Sequence, residues 1–134
     1  MIYLLDTNAC IRYFRDPASR VRRELASRSP ADIRLCSVVL AELYRGALRS
    51  ANPPGSRTKV DTFSALYLSL PFDDIAADIH AQVRVHLERL GQPIGPYDQI
   101  IAAIALAHNC TLVTHNTAEF SRVPGLVIED WEIP

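Results

Sequence analysis

At the start of the chain a short apolar run, IYLL, stops abruptly at Asp6, and a second strand-like run, IRLC, ends at Ser37. A run such as Ile2 to Leu5, with no polar residue at alternate positions, has no solvated face. It belongs inside a parallel sheet covered on both sides.

Helical repeats fill the intervals. Ala9, Cys10, Tyr13 and Phe14 recur at helical spacing and predict a short helix from about Thr7 to Phe14. Asp16 followed by Pro17 reads as the cap and first position of the next helix, with Val21 and Leu25 on its buried stripe and Arg20, Arg22 and Arg23 largely outside it. Ser37 reads as the N-cap of a helix reaching Arg49, whose apolar face carries Val39, Leu40, Leu43 and Ala47. The stretch SANPPGS reads as a loop, because consecutive prolines and a glycine stop helices. A helix from Thr58 to Ala65 and a strand YLSLPF follow. From Asp73 to Leu90 a long helix is expected, with Ile75, Ile79, Val83 and Leu87 on one stripe and Gly91 closing it. After the turn QPIGP, the segment from Tyr97 to His108 is apolar almost all round, as in a buried helix, and Asn109 suits a left-handed terminator. The strand TLVT, the turn HNTAEF and a short strand GLVIED complete the chain.

Strands alternating with helices predict an α/β fold with a mostly parallel central sheet flanked by helices, and 134 residues suit a single domain over 1–134. With 49% hydrophobic and 22% charged residues, the composition excludes the disordered and membrane classes. No apolar run approaches the ~20 residues that span a bilayer, and no signal-peptide pattern precedes the first strand, so a cytoplasmic location is expected. Cys10, Cys36 and Cys110 are odd in number and lack close pairing, which suits buried thiols better than disulfides or a zinc site. The net charge of −1 hides an asymmetry: residues 1–50 carry nine arginines against five acids. Guanidinium groups fit phosphate or carboxylate bidentately, so this half offers a face for an RNA backbone or an acidic partner, or else a solvated helix surface.

In open parallel sheets, ligands collect at the carboxyl ends of the strands. Asp6 ends the first strand, Glu42 follows the second by one turn of helix, Asp98 opens the buried helix, and Asn116 and Glu119 follow TLVT. All are hard oxygen donors with no matching cysteine, which favours Mg²⁺ or Mn²⁺ over zinc. Taken singly, each has a plainer role: Asp6 as a helix cap, Glu42 as a solvated helical acid, Asp98 as an acid favoured by a helix N-terminus, and Asn116 with Glu119 as turn formers. Together, uncompensated carboxylates repel and call for a cation or shared protons. His80, His86 and His108 read as ordinary helix residues, whereas His115, beside Asn116, is a candidate contact to substrate phosphate.

The motifs LLDTNACI, SVVLAELYRGA, IGPYDQIIAAIALAHNCTLVTHNTAEF and VPGLVIEDW, in this order and spacing, resemble the PIN-domain ribonucleases, in particular the VapC toxins of bacterial toxin–antitoxin pairs. The resemblance implies a PIN-like three-layer sandwich and an endoribonuclease whose acids fall on Asp6, Glu42 and Asp98. It implies metal ligation by those three, with Mg²⁺ or Mn²⁺ activating the attacking water and leaving a 3′-hydroxyl and a 5′-phosphate. Where many members carry a further acid this chain has Asn116, and Glu119 is the candidate replacement. Asn8, Ser37 and Thr114 are candidates for orienting the ligands, and Arg12 and Arg15 for holding RNA phosphates or an antitoxin. The resemblance also implies a VapB-like antitoxin partner, a homodimer, and structured RNA substrates, transfer RNA among them.

Two other readings remain open on residues alone. A phosphatase of the haloacid-dehalogenase kind also begins with an apolar strand ending in Asp, but it needs a second acid where this chain has Asn8. A PIN fold that binds RNA or protein without turnover finds its support in Asn116.

Overall fold

The computed structural model describes residues 1–134. Five strands, β1 (Tyr3–Leu5), β2 (Ile33–Cys36), β3 (Leu68–Leu70), β4 (Thr111–Val113) and β5 (Ile128–Glu129), form one sheet in the order β3-β2-β1-β4-β5. Every neighbouring pair is parallel. Helices α1 (Thr7–Arg15), α2 (Arg20–Ala26), α3 (Ser37–Leu48), α4 (Pro53–Ser64), α5 (Asp74–Leu90), α6 (Pro96–Ala107) and α7 (Thr117–Phe120) cover its faces, giving the α/β sandwich expected.

The apolar runs become the sheet's interior: Leu4, Leu5, Ile33, Leu35 and Leu112 have no exposed surface. Fully burying a side chain of this size stabilises by roughly 1.5–3 kcal/mol, so the three central strands dominate the core. Ala102, Ala103 and Ala105 keep α6 slim where it enters that core, and all three are inaccessible. The three cysteines are free and buried. Asn109, at φ 52°, and Gly91, at φ 65°, end α6 and α5 in the left-handed conformation, as their positions suggested.

Several boundaries differ from the sequence reading. Asp16 does not cap the second helix: its amide bonds to the Arg12 carbonyl, closing α1, and its carboxylate accepts the Ala18 amide. Ser19 supplies the cap instead, accepting from the Arg22 amide. Ser37 is the first residue of α3 and Cys36 its N-cap. Within SANPPGS the two prolines start α4 rather than preventing it, with Asn52 as N-cap. A proline at the first helical turn gives up only an amide that would lack an intrahelical partner. Ile75 is 67% exposed, and Ala76 takes its place in the core. Steps of four residues overshoot a helical turn by about 40°, so Ile75 lies about 120° around the helix from Leu87. β3 and β5 are shorter than YLSLPF and GLVIED suggested.

From β1 the chain steps outward through β2 to β3, then crosses to the other side for β4 and β5. Connections leaving β1 and β4 therefore diverge, and a crevice opens between their carboxyl ends. The amide of Asp6 donates to the Val113 carbonyl at 3.1 Å, the last rung before the strands part.

Candidate functional site

Asp6 stands at the head of this crevice. It is the N-cap of α1, one carboxylate oxygen accepting the Ala9 amide at 2.8 Å, and it is 2% exposed. A helix cap would ordinarily be solvated. Burial, reinforced by the charges of Asp98 and Glu132, instead pushes its pKa up to about 6, against the stabilising hydrogen bonds from Thr114 and the Ala9 amide.

Asp98 reaches the same place from α6. A helix that leads into a parallel strand begins at that strand's carboxyl side, so the first turn of α6 lies on the sheet edge where β1 and β4 end. Asp98 occupies that turn and is half-buried. Its pKa is also raised to about 6, first by burial and then by the charges of Glu119 and Glu42. Asp98 thus lies close enough to Glu119, Glu42 and Asp6 for their charges to interact, although the four come from different segments.

The remaining candidates sort by contact. Glu42, in the second turn of α3, accepts the Thr7 hydroxyl at 2.7 Å. Asn116 donates its side-chain amide to Glu119 at 3.0 Å, and its backbone amide donates to the Thr114 hydroxyl at 2.9 Å. Asn116 therefore holds a carboxylate where a further acid was absent. Asn8, Ile11, Arg12, Arg15, His115, Asn116 and Glu132 line an open cleft of about 460 Å³. Ser37 is exposed and has no side-chain hydrogen bond of its own, and it does not line that cleft.

Donor atoms of His115, Asp130 and Glu132 all lie within 4.8 Å of one another. These groups are already engaged: His115 Nδ1 meets Asp130 at 2.9 Å, and Arg12 Nε pairs with Glu132 at 2.9 Å. Asp6, Glu42, Asp98 and Glu119 offer only oxygen donors, the kind a hard cation takes, and no cationic group offsets the charge of Asp6 or Asp98.

The PIN-domain family model matches residues 3–126. The chain belongs to the PIN-domain family. Within it, this PIN-domain protein is of the VapC ribonuclease toxin type. It is 37% identical over 129 residues to the tRNA(fMet)-specific endonuclease VapC of Salmonella typhimurium, covering 96% of this chain and 97% of the relative. It is 37% identical to ribonuclease VapC2 of Rickettsia felis, over 98% of this chain and 99% of the relative. A chain in the crystal structure of Rickettsia felis VapBC2 bound to a DNA fragment from their promoter superposes with a TM-score of 0.92, at 34% identity over 98% and 99% of the two chains.

Sequence reasoning passed over three side chains that contact the candidate residues of this PIN-domain protein. Thr7 was spelled out in LDTN, between two candidates, and its hydroxyl is what joins α1 to Glu42. Asp130 and Glu132 lie at the far end of the chain, and the alternation of EDWE was their only local signal.

Proposed function

We propose that this chain is a metal-dependent endoribonuclease, acting with Mg²⁺ or Mn²⁺ as the toxin of a toxin–antitoxin pair and built as one PIN domain over residues 1–134. The observation that carries the reading is the pair Asp6 and Asp98, both raised to about 6 by burial and neighbouring acids. Packing gains nothing from buried like charges, and a cation relieves them. Asp6, Asp98 and Glu42 would hold the ion, with Glu119 completing the acidic set. An ion held by these residues would supply polarisation of the scissile phosphate and easier deprotonation of the attacking water.

The protein's own groups supply orientation. Thr114 and the Ala9 amide fix Asp6, Thr7 fixes Glu42, and Asn116 fixes Glu119. Arg12 and Arg15 project from the exposed side of α1 into the cleft, where they meet phosphates of the substrate strand, and Asn8 lines the same cleft. Hydrolysis leaves a 3′-hydroxyl and a 5′-phosphate. Structured RNA is the substrate class. Transfer RNA is the first to test, because the Salmonella relative is named for tRNA(fMet).

A VapB-like antitoxin is the partner, as in the VapBC complex from Rickettsia felis. A slot of about 300 Å³, lined in part by Ile11, Phe14, Leu43 and Val60 and reaching Glu42, offers an apolar stretch of that partner a seat beside the acids. The toxin acts in the cytoplasm as a homodimer. No helix is long and apolar enough to cross a membrane.

Purified protein, freed of antitoxin, is incubated with total transfer RNA in Mg²⁺, Mn²⁺ or EDTA, beside Asp98→Ala. Discrete fragments that need the metal and vanish in the folded variant support the reading. RNA bound but intact in every condition supports the non-cleaving alternative.

A further inference from the structure

The open cleft is lined by none of Asp6, Glu42, Asp98 and Glu119. Arg12, Arg15 and His115 bring three basic groups to a solvent-open hollow that also contains Glu132. Two of the three are held by carboxylates. Glu132 takes the Nε of Arg12 at 2.9 Å, which leaves both terminal nitrogens of the guanidinium free. Asp130 takes Nδ1 of His115 at 2.9 Å, which leaves Nε2 facing outward on a ring that is 58% exposed. The side chain of Asp130 is itself only 8% exposed, and its other oxygen accepts the Glu132 amide at 2.9 Å.

The segment that carries these carboxylates is firmly seated. Trp131, between them, is buried, packs on Tyr3 with ring centroids 5.4 Å apart, and donates its indole N–H to Glu129 at 2.9 Å. Arg28 lies over both rings, 4.5 Å from Tyr3 and 4.9 Å from Trp131. A turn closed by the Glu132 amide on the Asp130 carboxylate then brings both acids beside His115 while Trp131 turns inward. Arg12 and His115, the cationic halves, are each more than half exposed, and ion pairs open to solvent on one side contribute little to stability, so fold stability is a poor explanation for two of them side by side. Fixing two flexible cations at a set spacing is a better one.

We propose that Arg12 and His115 form a subsite for a backbone phosphate next to the scissile one, and that Asp130 and Glu132 are positioning residues that hold the two cations in place. This rests on the ribonuclease reading above. The subsite takes RNA phosphate by charge and geometry and reads no base. The groups facing His115 are Asp130, Glu132 and Arg12. The two acids raise its pKa and the arginine opposes them, so the ring keeps its charge to a higher pH than a free histidine.

Glu132→Gln separates positioning from neutralisation by the sign of its effect. If Glu132 only neutralised Arg12, removing its charge would tighten RNA binding. If it positions Arg12, binding weakens even though the cleft becomes more positive. Binding of a short fluorescein-labelled single-stranded RNA is measured between about 50 and 200 mM salt, in the Asp98→Ala background. Arg12→Gln and His115→Gln should each flatten the slope of log K against log salt by about 0.7, the loss of one phosphate contact. His115→Arg should restore the slope. Glu132→Gln and Asp130→Asn should weaken binding several-fold. In the cleaving enzyme, Glu132→Gln should raise KM more than it lowers kcat. Arg84→Gln, on the distant surface of α5, controls for loss of a positive charge as such.

Tighter or unchanged binding by Glu132→Gln overturns the positioning role. A wild-type slope in His115→Gln overturns the subsite. Both results leave the nuclease intact if the wild type still cleaves RNA with metal. A wild type that neither binds nor cleaves RNA overturns the nuclease reading, and this inference with it.

Discussion

Replacing Asp6 by asparagine should stabilise the metal-free protein while removing the central carboxylate of its site. Burial, with the charges of Asp98 and Glu132, lifts the Asp6 pKa from 3.8 to about 6, so the folded state binds this proton more tightly than the unfolded chain. Above pH 6 the carboxylate is ionised in both states and the folded one carries the full penalty. As pH falls from 6 toward 3.8 the folded state takes up its proton first, and the penalty disappears. A shift of roughly two units amounts to about 3 kcal/mol. Asparagine keeps an oxygen for the Ala9 amide and caps helices as well as aspartate does, but it forfeits the attraction of a charge for the start of α1, on the order of 0.5 kcal/mol. A net gain of about 2 kcal/mol is left at neutral pH, or a Tm increase on the order of 5–10 °C for a chain of this size. Thermal melts in EDTA at about pH 7.5 and pH 4 provide the assay, with the advantage of Asp6→Asn shrinking below about 1 kcal/mol at the lower pH. Mn²⁺ should reverse the order at neutral pH by stabilising only the wild type. An Asp6→Asn protein no more stable than wild type at neutral pH would refute the claim that this carboxylate is a burden the fold tolerates for a cation.

Thr7→Val removes the 2.7 Å hydrogen bond to Glu42 and should lower kcat about tenfold in steady-state cleavage while leaving the melting curve nearly unchanged. Asn116→Asp replaces a donor to Glu119 with another charge near Asp98; calorimetric titration should show Mn²⁺ bound more tightly, and the metal-free variant should melt lower at neutral pH than at pH 5. Arg28→Ala deletes a guanidinium that bonds the Tyr3 hydroxyl at 3.0 Å and covers two aromatic rings; denaturant unfolding should show a loss of about 2 kcal/mol.

The sheet was legible because its signal is local. Residues 3–5 and 111–113 are buried at every position, and a short run with no charged residue on either face admits few other interpretations. Boundaries failed where two local signals competed. Asp16 and Ser19 both cap well, three residues apart, and the choice fell to Ser19 because Asp16 was already closing α1. In SANPPGS the prolines that end one helix also suit the first turn of another. The stripe on α5 failed for a geometric reason: four-residue spacing describes one turn well and three turns poorly, so Ile75 rotated out and Ala76 rotated in.

The acids were legible as a set because strand order decides where they meet. In the order β3-β2-β1-β4-β5, Asp6 and Thr114 leave adjacent strands in diverging directions, and α6 must start near that divergence to lead into β4. Any polar residue at those positions faces the crevice, so the carboxylates could be anticipated from the chain alone. Asp130 and Glu132 obey the same logic one strand further out. β5 pairs with β4 in parallel, so the residues after it emerge on the same edge and run back to meet Arg12 of α1. That contact joins residues near the two ends of the sequence, and no periodicity within either segment announces it. The acids sit at strand ends that each segment announces locally, whereas the contact of Arg12 with Glu132 depends wholly on which strand lies next to which.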